Sequence, residues 1–265
     1  MKIKNWIWIL ILWMIGCGEE DDQNLRTDLP TEAQQIFSVS KIQNEHLFLA
    51  LTTWEEFTSI DPSSLPGCPT LVLEQESKRV TLNYSKAEDC EGSQVRTGSI
   101  VLDLALQESG SQEWFVEFAN YSYEGDTLKG IKIFKKISNQ VINQSFENLK
   151  VTSAQNASFV LQGELTHTKP PIIGPSVSLI STKGQITGKN PIGRSVSMNI
   201  TEQILSVRSC QLSQKDLPTS GSETWEIERG NRNSVSHRLS YESTGICETV
   251  AKMQLSDGRV LILNP

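Results

Sequence analysis

The sequence contains few of the side chains from which catalytic and nucleic-acid-binding sites are commonly built. Only three of its 265 residues are histidine, and 24 lysines and arginines stand against 31 aspartates and glutamates. A surface with this excess of negative charge opposes binding to nucleic acid and to anionic lipid, because both carry charge of the same sign. We therefore expect no nucleic-acid partner.

Motifs of nucleophilic, phosphate-binding and metal-dependent enzymes are also absent from the sequence. No two cysteines have the C-x-x-C spacing of a metal site, and no serine lies in a G-x-S-x-G turn. There is no glycine loop that could cradle a phosphate, and no calcium loop with acids at alternate positions. We predict no catalytic residue, no bound metal and no cofactor.

Long apolar runs are missing except at the N-terminus. There, an unbroken run from Trp6 to Ile15 follows the basic residues Lys2 and Lys4 and ends before a glycine. A basic start, a short apolar core and a small residue before the cut predict a secretory signal peptide over residues 1–16. A membrane-spanning anchor is the weaker alternative, because a helix needs roughly 20 apolar residues to cross a bilayer.

Cys17 follows this leader directly. The tetrapeptide Met14-Ile15-Gly16-Cys17 resembles the lipobox of bacterial lipoproteins, with Met14 where that motif prefers leucine. The resemblance implies cleavage before Cys17 and lipidation of this cysteine, with palmitate among its acyl chains. The membrane is thus the first expected partner, since each buried methylene contributes about 0.8 kcal/mol and two or more chains anchor a protein stably.

An acidic run, Gly18-Glu19-Glu20-Asp21-Asp22, opens a tether that we place at residues 17–32. This run resembles the surface-export signal of lipoproteins from Bacteroidetes, which implies an outer-membrane protein that faces the outside of the cell. A plain solvated stalk is the alternative, because like charges repel and keep a segment extended. Removal of the leader takes away two lysines and leaves a net charge of about −9.

Four further cysteines lie in the exported part of the chain: Cys68, Cys90, Cys210 and Cys247. An even number of cysteines in an exported chain predicts disulfides. Of the three pairings, we prefer Cys68–Cys90 with Cys210–Cys247, because each bond then closes a local loop within one half of the chain. On the chain-entropy model, each closure would stabilise the fold by about 3–4 kcal/mol.

The pattern of apolar residues predicts an all-β fold with a short N-terminal helical segment. Residues 31–58 carry the one helical signal, and their apolar spacing is mixed. From Cys68 onward, short runs alternate apolar and polar residues, and turn residues separate the runs about every ten positions. Many short strands at this spacing favour an antiparallel, sandwich-like body.

Glycines recur inside the strand patterns, at Gly98, Gly130, Gly163 and Gly184. In strands they indicate bulges or close approach of two backbones. Two stretches also echo each other, since Phe118-x-Asn120-Tyr121 recurs as Phe146-x-Asn148-Leu149. A proline-rich interruption from Lys169 to Pro175 leads us to divide the body into two β-rich halves, residues 33–168 and 169–265, which could pack together.

The stretch that begins at Pro66 resembles the first half of an uncharacterised family of surface lipoproteins from Bacteroidetes. The matching motifs are Cys68-Pro69, Cys90-x-Gly92 and Arg96-x-Gly98-x-Ile100. The C-terminal motifs Leu239-x-Tyr241, Cys247 and Asp257-Gly258-Arg259 are similar to the second half of that family. The resemblance implies a disulfide-stapled, β-rich surface protein, and it brings no activity with it.

The expected function is that of a lipid-anchored cell-envelope protein that acts as a non-catalytic binding or structural module. Its ligand is unknown, and an envelope protein or a glycan is the expected class of partner. The polar turns at 106–113, 124–127 and 229–234 are candidate contact sites, because binding residues concentrate in loops. The tyrosines could form a platform for a sugar or a peptide, with buried cross-strand packing as the alternative for about half of them: Tyr84, Tyr121, Tyr123 and Tyr241.

An envelope hydrolase built on a β-sandwich scaffold is the alternative function. Glycosidase chemistry needs two carboxylates across a cleft, and acids next to tryptophan are the candidates: Glu55, Glu56, Glu113 and Glu226. In an alternating strand, however, neighbours point to opposite faces. We therefore expect one residue of each pair to be exposed and the other to be buried.

Overall fold

The computed structural model describes residues 28–84, 95–106, 112–169, 179–230 and 233–263. The described chain begins with three helices and a 3₁₀ turn, which are α1 (Leu29–Asn44), α2 (Leu47–Ala50), α3 (Trp54–Ser59) and Pro62–Ser64. The strands follow as β1 (Thr70–Glu74), β2 (Arg79–Asn83), β3 (Arg96–Asp103), β4 (Glu113–Tyr123), β5 (Asp126–Lys136), β6 (Val141–Thr152), β7 (Ser158–Thr168), β8 (Leu179–Lys189), β9 (Ser195–Val207), β10 (Ser220–Glu228), β11 (Ser234–Gly245), β12 (Glu248–Gln254) and β13 (Val260–Leu263). A short helix, α4 (Arg208–Leu212), lies between β9 and β10.

All these strands form one open antiparallel sheet, in which each strand pairs with its neighbours in sequence. The predicted all-β class and the N-terminal helical segment are therefore confirmed. Within that class, the arrangement is a single sheet rather than the two packed sheets of a sandwich. Alternation of apolar and polar residues reports which face of a strand is buried, and it is the same for both arrangements.

The division proposed at residues 168 and 169 falls between β7 and β8. These two strands pair in one unbroken register, from Val160↔Lys189 to Thr168↔Ser181. Residues 33–168 and 169–265 thus contribute to the same sheet. The helix α4 lies outside the segment 31–58, so the expectation that helix is confined to that segment was wrong.

Local sequence explains where the N-terminal helices begin. Asp28 precedes α1, and a proline stands in the first turn, where a missing backbone N–H breaks no hydrogen bond. At α3, the backbone N–H of Glu56 donates to the Thr53 hydroxyl and that of Thr53 donates to the Glu56 carboxylate. This reciprocal pair is a capping box, which satisfies two backbone donors that would otherwise have no partner.

The sheet curves around α1. Ser40 and Lys41 are neighbours on this helix, yet Ser40 bonds to Glu223 on β10 and Lys41 pairs with Glu124 at the end of β4. Those strands are six positions apart in the sheet, which would separate them by about 29 Å if the sheet were flat. Two adjacent side chains cannot span that distance, so the inner face of the sheet encloses the helix.

Polar residues on the buried face of α1 explain the mixed apolar pattern of the helical segment. Buried positions of α1 include polar residues as well as apolar ones, among them Glu32, Ser40, Lys41 and Gln43. Thr31 and Gln34 on the opposite face are exposed, so polar residues occupy both faces of the helix and the amphipathic period is weak. The apolar core forms where this helix meets large inward side chains of the sheet, such as Trp114, Phe134 and Trp225.

Bulges and glycines shape the curvature of the sheet. Gly98 on β3 has φ +75°, and a Cβ there would lie 2.1 Å from the carbonyl oxygen of Asn120. Asn120 and Asn148, the echoed residues, have φ values of 51° and 52°, and each lies within a register shift of its strand. Bulges of this kind bend a strand and increase its twist. The prediction of close backbone approach at the strand glycines is confirmed.

We predict that Gly98→Ala destabilises the protein far more than Gly193→Ala. Both glycines have positive φ, +75° and +80°, so both variants strain the backbone by about 1–2 kcal/mol. Only at Gly98 does the added Cβ meet backbone, because nothing lies within 4 Å at Gly193. We expect an additional ~3 kcal/mol of destabilisation for Gly98→Ala in urea unfolding. Equal losses in the two variants would contradict this account of the curvature.

Candidate functional site

Ionisable side chains meet in the space between the helices and the inner face of the sheet. We call this group the inner polar cluster, which consists of Glu45, His46, Arg96, Tyr121, Tyr123, Lys132 and Asp216. All seven residues are buried. They come from the end of α1, from β3, β4 and β5, and from the segment that follows α4.

Arg96 is the centre of the cluster. Its side chain points inward from the first residue of β3 and is fully buried. Its Nη2 atom lies 3.4 Å from Oε2 of Glu45 and 3.3 Å from Oδ2 of Asp216. One guanidinium therefore joins the end of α1 to the segment after α4. Such a cation needs partners, because an unpaired buried charge costs several kcal/mol.

Two tyrosines complete the hydrogen bonds of these carboxylates. The hydroxyl of Tyr121 donates to Oε1 of Glu45 at 2.9 Å, and that of Tyr123 donates to Oδ2 of Asp216 at 2.7 Å. The guanidinium carbon of Arg96 also lies 4.8 Å from the centre of the Tyr123 ring. Burial raises the pKa of both phenols well above the usual value, so both remain hydrogen-bond donors.

His46 and Lys132 extend the cluster toward β5. Nδ1 of His46 lies 3.1 Å from Oε1 of Glu45, and its Nε2 lies 2.9 Å from Nζ of Lys132. Lys132 also donates to the carbonyl oxygen of Gln43 at 3.3 Å. This geometry fits a neutral imidazole that donates through Nδ1 and accepts through Nε2. Burial, together with the charge of Lys132, lowers the pKa of His46 to about 4.

The two carboxylates of the cluster are shifted in opposite directions. Burial alone would raise the pKa of Glu45, but the hydrogen bonds and charges of its neighbours, His46 foremost, lower it below the usual value. Burial raises the pKa of Asp216 to about 6, although Arg96 opposes this shift. Burial likewise lowers the pKa of Lys132 to about 7. Such shifts are common in catalytic sites, but structural ion pairs produce them as well.

The other two histidines are also inside the sheet. Nε2 of His237 lies 2.9 Å from Oε2 of Glu32, a residue of α1 that also pairs with Arg229. His167 bonds through its two ring nitrogens to Thr182 and Gln144, each at 2.9 Å. Burial lowers the pKa of His167 to about 3. Each histidine thus joins a strand to a neighbouring strand or to a helix.

A disulfide fastens the segment that carries Asp216. The predicted bond Cys210–Cys247 is present and joins α4 to the turn between β11 and β12, with 5.1 Å between the Cα atoms. Gln211 of α4 also donates to the carbonyl oxygen of Asn44 at 3.1 Å, and Arg208 pairs with Glu56 at 2.7 Å. The segment is therefore attached both to the sheet and to the helices inside it.

The other two predictions for cysteines are the bond Cys68–Cys90 and the lipidation of Cys17. Cys68 is disulfide-bonded, whereas Cys90 and Cys17 lie outside the described residues. The pairing Cys68–Cys90 and the lipidation of Cys17 stay predictions.

The proposed tyrosine platform was wrong. Tyr84, Tyr121, Tyr123 and Tyr241 are all buried, with at most 3% of any of them exposed. The three that lie within strands occupy positions that face the helices, and Tyr84 immediately follows β2. Their side chains serve the inner polar cluster and the core.

Acids beside tryptophan behave as expected from strand alternation. Trp114 and Trp225 are each 1% exposed, whereas Glu226 is exposed and Glu113 is partly exposed. Glu113 pairs with Lys135 across the outer face of the sheet at 2.8 Å. These acids and tryptophans point to opposite faces and do not line one cleft.

Two of the polar turns proposed as contact sites form ion pairs with α1. Glu124, in the turn at 124–127, pairs with Lys41, and Arg229, in the turn at 229–234, pairs with Glu32. Residues 107–111 and 231–232 lie outside the described residues.

Among the grooves on the outer face of the sheet, two adjoin each other. The larger, about 940 Å³, runs across β6 to β11, and we call it the β6–β11 groove; its charged residues are Lys189, Glu226 and Glu228. The smaller, about 630 Å³, runs across β4 to β8, and we call it the β4–β8 groove; its apolar residues include Phe115, Ile131 and Ile133. Gln162 and Thr187 line both grooves, so the two adjoin.

Sequence reasoning missed the inner polar cluster, although one signal for it was present. Lys132 stands in strand alternation between Leu128 and Phe134, at positions that point inward. A lysine in that register indicates a buried cation with a partner elsewhere in the chain. The partners, His46 and Gln43, are 86 and 89 residues away in sequence, and nothing local identifies them.

Within the described ranges, no group of three or more histidine, cysteine, aspartate and glutamate residues is placed to hold a metal ion. No helix of these ranges is long and apolar enough to cross a membrane. Comparison of the chain with protein-family models, with curated proteins and with solved structures finds no match. The resemblance to a family of surface lipoproteins therefore stays a prediction.

We predict that the effect of Lys132 on the free energy of unfolding depends on pH. The pKa of this lysine is 10.5 in the unfolded chain and about 7 in the folded protein. Between these values only the unfolded chain binds the proton, so raising the pH favours folding. From pH 7 to pH 10, the unfolding free energy of the wild type should rise by about 3 kcal/mol relative to Lys132→Met. A difference that stays constant over this range in urea unfolding would contradict the burial of this amine.

Proposed function

We propose that this protein is a lipoprotein of the outer membrane, anchored through Cys17 and displayed at the cell surface, whose β-rich body is a non-catalytic binding or structural module. The lipobox before Cys17 and the acidic tether after it support the anchor and the outward display. The structure begins α1 at Leu29, so residues 29–32 of the proposed tether are helical and the stalk that joins the body to the membrane would end before Leu29.

The observation that carries the proposal is the direction in which the reactive side chains point. His46, His167 and His237 are each at most 1% exposed, and all bond to groups inside the sheet. A catalytic group must contact its substrate. Each of these histidines instead contacts buried residues of its own chain, through which it joins strands to one another or to the helices.

The outer face has the properties of a contact surface. It is built from exposed polar residues of long strands, and its two adjoining grooves are lined mainly by strand residues. A surface of this kind can hold a partner without ordering a flexible segment, which lowers the entropic cost of binding.

The hydrolase alternative has weaker support. Two carboxyl groups with raised pKa are present, Asp216 and Glu223, and burial is the main cause in both. They do not share partners, since Asp216 bonds to Arg96 and Tyr123 whereas Glu223 bonds to Ser40 and Trp225. Neither is more than 4% exposed.

Cell fractionation combined with protease treatment of intact cells tests the proposal. We expect the wild type in the membrane fraction, and we expect added protease to remove its body while a periplasmic marker protein stays intact. Cys17→Ser should move the protein to the soluble fraction, because the lipid provides the attachment.

Two results would contradict this proposal. Firm membrane attachment of the Cys17→Ser variant would indicate a spanning anchor. Protection of the wild type until the outer membrane is broken would place the body on the periplasmic side. For catalysis, turnover of a polysaccharide, peptide or ester that is abolished by Glu113→Gln or Glu226→Gln would replace the binding module with the hydrolase.

A further inference from the structure

We propose that the β4–β8 groove binds a protein segment in which basic side chains stand next to apolar ones. This inference rests on the proposed function as a binding module, and it names the chemical class of the partner. It is carried by three features of the groove, namely an apolar centre, acidic residues beside that centre, and continuity with a second acidic groove.

The centre of the groove is an apolar patch on a face that is otherwise largely polar. Ile131 and Ile133 on β5 are 47% and 37% exposed, and Phe115 on β4 stands directly opposite Ile133. Outward positions of a sheet that only faces water are usually polar. Adjacent exposed apolar side chains that line a concave site are typical of a surface that binds a partner.

Acidic side chains surround this patch. Glu117 stands directly opposite Ile131, and Glu147 and Glu164 line the groove from β6 and β7. No lysine or arginine is among the described residues that line it.

The three acids have no counter-ion within the described part of the chain. Other exposed acids of the outer face do have one, as Glu202 pairs with Arg238 and Glu242 pairs with Lys252. The groove thus combines an apolar centre with negative charge that this chain does not neutralise. A complementary partner carries positive charge beside apolar side chains. Opposite electrostatic potentials speed the association of two partners and fix how they align.

The neighbouring β6–β11 groove also favours a basic partner. Gln162 and Thr187 line both grooves, and the β6–β11 groove adds Glu226 and Glu228 against one cation, Lys189. An extended basic segment that leaves the β4–β8 groove on this side would again meet an excess of negative charge. Nucleic acid and anionic lipid are disfavoured by that charge.

The test is a binding titration with the purified full chain in a non-ionic detergent. The probe is a labelled synthetic peptide of about ten residues, ~33 Å when extended, in which lysine and isoleucine alternate. Fluorescence anisotropy measures binding, and micelles alone provide the blank. Matched peptides replace each lysine by glutamate, or each isoleucine by serine. We expect the glutamate peptide not to bind and the serine peptide to bind more weakly than the probe.

Two double variants with the same change in net charge locate the site. Glu147→Gln with Glu164→Gln should weaken binding of the probe by about fivefold to twentyfold, since each exposed charge pair accounts for about twofold to fivefold. Glu202→Gln with Glu242→Gln should leave the affinity unchanged, because those acids are already paired elsewhere on the sheet. Ile133→Ser should weaken binding by a further factor of about three.

Equal losses in the two double variants would overturn the proposal, because the probe would then respond only to overall charge. Binding of the serine peptide as tightly as the probe would overturn the role of the apolar centre. No binding of the lysine–isoleucine peptide would overturn the partner class. The fractionation and protease experiments do not depend on this titration. A failure of the peptide to bind would therefore leave the proposal of an anchored surface module unaffected.

Discussion

The structure depends on one buried cation, Arg96, and the two carboxylates that it holds. Glu45 ends the helix inside the sheet, and Asp216 belongs to the segment that α4 and the disulfide attach to β11 and β12. Removal of the guanidinium would leave two carboxylates in the interior without their cation, a loss of about 3–5 kcal/mol for a broken buried pair. These contacts join elements that lie far apart along a sheet in which only neighbouring strands pair.

Enclosure of α1 accounts for the other properties of the molecule. A single sheet that curves around a helix buries its histidines, tyrosines and paired charges on the inner face, where they stabilise the fold. The outer face then consists of the alternate residues, which are polar except for patches such as Ile131 and Ile133. The division between an inner face that serves stability and an outer face available for contact is the basis of the proposed binding role.

The sequence predicted the strands well because alternation and turn residues are local signals. It also placed Trp114 and Glu113 on opposite faces of a strand, and it indicated close approach or a bulge at Gly98. It did not separate one curved sheet from a sandwich, since both have the same period. The inner polar cluster was missed because its pairs join residues as distant as Arg96 and Asp216, which no local pattern connects. The helical segment was read as mixed because the buried face of α1 also carries polar residues, such as Glu32 and Lys41, which weakens the amphipathic period.

Native-state hydrogen exchange tests the central claim, that α1 is part of the core around which the sheet closes. The amide protons of α1 should exchange only through global opening, with the same free energy as the strands β4 and β5, because Glu45 and Lys41 bind the helix to the sheet. Exchange of α1 at a much lower free energy, while β4 and β5 stay protected, would show that the helix detaches and that the sheet does not depend on it.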